Sequence, residues 1–195
     1  MHPGIFWTLV VAAAIGVAVM AVTHGSSGMS AGHALEILWL SATGQSTEHL
    51  PSEQVTIVQE IRLPRPCLGL LVGLCLAVAG VVMQAFFQNP MAAPSIIGVS
   101  AGGSLGATAA IMLGFNVWFL GLSSVALTAF AGALGVTAIV YLLSRRGGRT
   151  PVAVLLLTGI AVGSMAQAMA SLILILFSHG QMDQVVHWML GSLSG

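Results

Sequence analysis

Five long apolar runs, none containing a charged residue, constrain this chain more than any other feature. They cover Ile5–Val22, Pro66–Phe87, Ile96–Leu113, Trp118–Leu143 and Val152–Phe177. A helix needs roughly 18–20 apolar residues to cross about 30 Å of hydrocarbon, and one Arg or Asp at its centre costs about 2.5–3.5 kcal/mol. Bilayer is therefore the solvent these runs suit, and the expected fold class is all-α: a polytopic transmembrane helical bundle of about five spans. Composition agrees, with 57% hydrophobic and 5% charged residues and a mean hydropathy of +1.01. Soluble domains carry roughly 25% charged residues, so this chain cannot cover a water-facing surface.

The first run has no basic segment ahead of it and is long enough to span, so it reads as an uncleaved membrane helix rather than a signal peptide. Between the first two runs, His24–Glu60 holds four of the five acids, and its His33–Leu40 stretch is expected as a short helix on the membrane surface. Gln88–Ser95 is a short link with two prolines, Phe115–Val117 a tight turn, and Ser144–Pro151 a basic loop. Within Ser178–Gly195, Val185–Leu190 reads as an interfacial helix with Trp188 at headgroup depth. There is no lysine; the cations are Arg62, Arg65, Arg145, Arg146 and Arg149, balanced by Glu36, Glu48, Glu53, Glu60 and Asp183. Counting arginines on each side favours a cytoplasmic N-terminus by one residue. Cys67 and Cys75 are about 12 Å apart along one helix, too far to bond, and are expected as small buried core residues.

Small residues recur at helical spacing. Gly98, Gly102 and Gly106 repeat every fourth position, and Gly69 and Gly73, continued by Ala77 and Gly80, form a similar stripe in the second run. Such faces let membrane helices approach closely.

Several chemistries are disfavoured. Gly98-Val99-Ser100-Ala101-Gly102 matches the G-x-S-x-G elbow of serine hydrolases, but it opens a membrane helix and no histidine lies in a span. An intramembrane serine protease would have to recruit His179 or His187. A phosphate loop needs a lysine after its glycines. Ion-coupled transporters usually keep an acid or histidine within the membrane; here every acid lies outside the spans. No two histidines stand three or four apart, and the methionines are scattered, so no metal site is expected. Arg62-Leu63-Pro64-Arg65-Pro66 sets two arginines just before a span. It reads either as a headgroup anchor or as a rigid cationic fork for carboxylates on a partner protein.

The segment Arg62–Gly106, RLPRPCLGLLVGLCLAVAGVVMQAFFQNPMAAPSIIGVSAGGSLG, closely resembles the FecCD-type permeases, the membrane subunits of ABC importers for iron-siderophores, haem and cobalamin. The matching pieces are R-L-P-R, L-x-G-x-x-L-A-x-x-G-x-x-x-Q ending at Gln84, N-P-[LM]-A-x-P at Asn89, Pro90 and Pro94, and G-[VI]-S-x-G at Gly98, Ser100 and Gly102. The likeness continues through Leu155–Ala161 and His187–Ser192. It implies a non-catalytic permease subunit in the cell membrane, with the N-terminus cytoplasmic. Arg62 and Arg65 would then receive acidic residues of an external solute-binding protein. Thr158, Ser164, Gln167 and Ser171 of the fifth span would line the translocation path, though these four do not share one narrow stripe. Thr150 and Pro151 would sit at its inner mouth. The partners implied are a second permease subunit and two ATPase subunits. ATP and Mg would be bound by those ATPases, with no cofactor on this chain, and the cargo would be a metal chelate. An ion-coupled secondary transporter is the alternative reading.

Permeases of this type are about twice this length. Residues 1–195 are therefore expected to form a single but incomplete transmembrane domain lacking its C-terminal half, whether as a fragment, a truncated gene or half of a split subunit. Alone they are expected to enter the membrane but not to retain an ATPase.

Overall fold

A computed structural model describes residues 2–25, 28–47, 49–115, 117–119, 121–177 and 180–192. The chain packs as two compact units, one within residues 1–75 and one of Leu76–Ser192.

The first unit opens with helix α1, Pro3–Thr23, whose proline at the first turn gives up an N–H that no helix could use. Helix α2, Ala31–Thr43, covers the expected His33–Leu40 element. Ser30 caps it by accepting from the His33 N–H at 3.3 Å, and Gly44, at φ +68°, closes its end in a Schellman turn with Gln45 N–H on Leu40 O at 2.9 Å. A short helix α3, Ser52–Thr56, then widens into a π-helical turn, Ile57–Arg62, and leads into α4, Pro64–Phe87. The widening has a local cause. Pro64 has no N–H to return to the Glu60 carbonyl, so the ladder is carried by Leu63 N–H to Val58 O at 2.9 Å, five residues back. Val22, Ala34, Ile37 and Val58 form the buried centre of this unit.

The extra residue in the π turn brings Arg62 inward. Its side chain is only 6% exposed, and Nη1 donates to Val22 O at 3.0 Å and Thr23 O at 3.2 Å, carbonyls at the end of α1. The guanidinium lies so close over Gly25 that a Cβ there would be 2.6 Å from Nη2.

In the second unit, the expected third span divides. Pro94–Ile97 forms a 3₁₀ turn, Gly98 takes φ +82°, and α5 runs from Val99 to Met112. At 14 residues, α5 is about 21 Å long, short of a full crossing. The fourth run also begins differently from the sequence expectation. Trp118–Phe119 (β1) and Leu122–Ser123 (β2) pair antiparallel as a small hairpin, and α6 occupies Ser124–Ser144. Ser123 decides the boundary by accepting from the Ala126 N–H at 3.3 Å, an N-cap within an otherwise apolar run. The turn expected at Phe115–Val117 starts earlier, at Gly114 with φ +66°, and its Asn116 lies outside the described residues. Helix α7 is Val152–Phe177, with the expected bounds, and α8 is Met182–Leu190. Thus α1, α4, α6 and α7 are long and apolar enough to cross a membrane.

Backbone contact through glycine holds α5, α6 and α7 together. A Cβ on Gly102 would collide with the Gly132 carbonyl, one on Gly132 with the Gly102 carbonyl, and one on Gly106 with the Thr128 carbonyl. A Cβ on Gly159 of α7 would run into the Ile96 carbonyl. The expected close-packing face of α5 is therefore present. The stripe on α4 is different: a Cβ at Gly73 or Gly80 would meet nothing within 4 Å. The two cysteines, expected as buried, are exposed on α4, because almost none of that helix's length is covered.

Two outcomes follow for the purified chain. Gly102→Ala should lower Tm by roughly 5 °C through overpacking, whereas Gly135→Ala, where a Cβ meets nothing within 4 Å, should not lower it. Arg62→Met would strip the Val22 and Thr23 carbonyls of their buried donor. Amide exchange across residues 20–24 should then quicken by roughly tenfold, while exchange in α6 stays unchanged.

Candidate functional site

The packing of α7 determines which of its residues are available for chemistry. Its buried face is Leu155, Gly159, Gly163, Ala166 and Ala170. Glycine and alanine along this stripe let the backbones of the 3₁₀ turn and α5 come close: a Cβ on Gly163 would be 3.7 Å from the Gly98 Cα and 3.8 Å from the Ala101 Cβ. At about 100° per residue, Ser164, Gln167 and Ser171 fall on one flank of that face, roughly 110° around the helix from its centre and within about 60° of one another. All three are exposed, and none makes a hydrogen bond among the described residues. Thr158 stands apart, half-buried beside the packed face. The expectation of four scattered polar residues thus resolves into a stripe of three, at i, i+3 and i+7, plus one outlier. An amide or hydroxyl facing hydrocarbon without a partner costs several kcal/mol. A stripe of this kind in a membrane-length helix therefore requires water, a polar solute or another helix against it.

The motif residues between α4 and α5 build a corner rather than a reactive site. Gln84 Nε2 donates to Pro90 O at 3.1 Å, Asn89 Oδ1 accepts from Met91 N–H at 2.9 Å, and Asn89 N–H returns to Gln84 O at 3.2 Å. Gln88 takes a positive φ of 49° to leave the helix. Pro94 opens the 3₁₀ turn, and Gly98 joins it to α5 where a Cβ would be 2.8 Å from Val136 Cγ1. Ser100 is exposed and hydrogen-bonded to no histidine among the described residues; His179 lies outside them.

The arginine fork expected before α4 is not formed as a pair. Arg62 is buried against the end of α1 and engaged by backbone carbonyls, because the π turn rotates it inward. Arg65 is exposed, at the rim of an apolar groove of about 570 Å³ lined by Ala14, Val17, Ala18 and Ala21 of α1 and Pro66 of α4. Thr150 is half-buried and Pro151 exposed, immediately before α7. The loop preceding them is more ordered than a basic linker. Arg146 and Arg149 pair as an antiparallel bridge around Gly147 and Gly148, a turn that the Gly-Gly step signals in the sequence. Among the described residues no cluster of three or more His, Cys, Asp or Glu could hold a metal ion.

The chain is 39% identical over 181 residues to the cobalamin import system permease protein BtuC of Halobacterium salinarum, covering 93% of this chain and 48% of that protein. It is 42% identical over 144 residues to the Fe(3+)-citrate import system permease protein YfmD of Bacillus subtilis, covering 74% of this chain and 41% of that one. Among solved structures, a metal-chelate type ABC transporter in an inward-facing conformation superposes with a TM-score of 0.71 at 26% identity, covering 99% of this chain and 53% of that one. The chain thus spans about half the length of the curated relatives it matches. The profile of the FecCD transport family matches residues 5–195, and the chain belongs to that family.

Proposed function

We propose that this chain supplies the N-terminal part of the membrane-spanning permease of an ATP-driven importer for metal chelates, with α7 along the translocation path. The observation that carries the reading is the Ser164, Gln167 and Ser171 stripe, which is exposed, unpaired among the described residues and on one flank of the packed face of α7. The relatives named above are described as importing cobalamin and ferric citrate. Both are bulky polar metal complexes, and that class is the proposed cargo. Hydroxyls and a neutral amide suit it: they can exchange hydrogen bonds with a passing solute without holding it by charge. Thr158 sits off this stripe and acts with the packed interface, while Thr150 and Pro151 lie at the mouth of the path.

The rest of the assembly belongs to the same proposal. A second permease subunit completes the path, two ATPase subunits bind ATP and Mg, and an external solute-binding protein delivers the chelate. This chain performs no catalysis. The N-terminus lies in the cytoplasm, which puts Arg65 on the outer face as the arginine for acidic residues of the binding protein. Arg62 serves that surface indirectly by holding the end of α1. Residues 1–195 act as one membrane domain.

Cysteine scanning tests the path. In a Cys67→Ser/Cys75→Ser background, with the transporter assembled, Ser164→Cys, Gln167→Cys and Ser171→Cys should react with a membrane-impermeant thiol reagent. Ala166→Cys, on the buried face, should stay protected. Protection of all three stripe positions would mean that α7 turns this face to another helix or to lipid. Docking is tested separately by Arg65→Glu, which should weaken association with the loaded binding protein by roughly tenfold or more, since like charges set against each other at an interface are costly. Unchanged affinity would leave Arg65 as a headgroup anchor.

A further inference from the structure

The loop between α6 and α7 carries three of the five arginines of the chain, and its backbone holds them together. Arg146 N–H donates to Arg149 O at 2.8 Å, and Arg149 N–H to Arg146 O at 3.0 Å. Gly147 and Gly148 between them have φ +57° and +78°, the two left-handed positions of a type I′ turn. Directly opposed residues in such a pair send their side chains to the same side, so two guanidinium groups are set against each other with Arg145 just before them. Like charges in that relation repel. All three arginines are exposed and form no ion pair among the described residues. The single acid between residues 76 and 192 is Asp183. The hairpin concentrates positive charge that this unit does not neutralise.

A second feature adjoins it. An apolar groove of about 320 Å³ runs between α4, α6 and α7, lined by Val82, Met83 and Phe86 on one side and Thr137, Val140 and Tyr141 on the other. Tyr141 is half-exposed and precedes Arg145, the residue just past the end of α6, by four residues, or about 6 Å along the helix axis. The cationic hairpin therefore stands next to one end of an apolar trough, at the ends of two helices long enough to span a bilayer.

We propose that the groove and hairpin form a binding site for one anionic glycerophospholipid. The phosphodiester would lie on Arg145, Arg146 and Arg149, and an acyl chain would follow the groove past Tyr141 and Phe86. Arginine forks match phosphate oxygens in geometry and charge, and the trough explains why the occupant is a lipid rather than a free phosphate ion. The site rests on the membrane-spanning fold and does not require the transport role.

The test uses the full chain in detergent with an equimolar mixture of phosphatidylglycerol and phosphatidylcholine of identical acyl chains, bound lipid being read by native mass spectrometry. Phosphatidylglycerol should be retained at one per chain, with a preference of roughly tenfold or more, given the attraction of several arginines for an anionic headgroup. Changing all three arginines to Gln should abolish the preference, and changing all three to Lys should keep most of it. Thr137→Trp, which fills the groove without touching the arginines, should reduce retention of both lipids. Circular dichroism should show unchanged helix content in every variant. Equal retention of the two lipids by the wild type would overturn the proposal, as would a preference that survives the Gln substitutions. Displacement of the lipid by excess inorganic phosphate would reduce the site to an ion site, and an inert Thr137→Trp would remove the groove from it.

Discussion

Direct contact between helix backbones, where glycine leaves no side chain in the way, is the interaction on which the second unit depends. Gly102 and Gly132 face each other's carbonyls, Gly106 lies against the Thr128 carbonyl, and Gly159 lies against the Ile96 carbonyl. In a bilayer, apolar side chains gain nothing by leaving lipid for a protein interior, so helices adhere through close dispersion contact over many atoms. Close approach of this kind is also sharply orienting. Once Gly159, Gly163, Ala166 and Ala170 are committed to the packed face of α7, the helix cannot rotate without driving a larger side chain into a backbone. The exposure of Ser164, Gln167 and Ser171 on one flank of that face is a consequence of that commitment.

Much of what marks the family in sequence serves this packing. Gln84, Asn89 and Pro90 tie off the end of α4 with side-chain to backbone hydrogen bonds, and Pro94 and Gly98 lay the 3₁₀ turn across the glycines of α7. Arg62 does comparable work in the first unit, where its guanidinium closes the end of α1. A motif strong enough to place a chain in a family can therefore consist largely of residues that shape the backbone. The residues left available for function are fewer: the polar stripe of α7, Arg65, and the Arg145–Arg149 hairpin. The bare small-residue face of α4 is also unspent, in a chain that spans about half the length of its relatives.

The sequence by itself determined the solvent, the fold class and most of the helix bounds. Charge is so costly in hydrocarbon that the uncharged runs outline α1, α4, α6 and α7 to within a few residues, apart from the start of α6. It also pointed to the close-packing face of α5 through glycine at every fourth position, a signal that does not by itself fix a contact, since Gly73 in the similar stripe of α4 meets nothing within 4 Å. Hydropathy could not see where a long run is interrupted. The Ser123 cap, the β1–β2 hairpin and the left-handed Gly98 are local hydrogen-bond and dihedral events that leave average apolarity unchanged. Nor could it tell an arginine that faces solvent from one turned inward. Arg62 and Arg65 look alike in R-L-P-R, and only the π turn ahead of Pro64, which adds a residue to the helical turn and so changes its phase, separates them. The spacing of Ser164, Gln167 and Ser171 was legible, but its meaning was not. Which side of α7 is packed depends on where the 3₁₀ turn and α5 lie, and that is decided by contacts between residues some sixty positions apart.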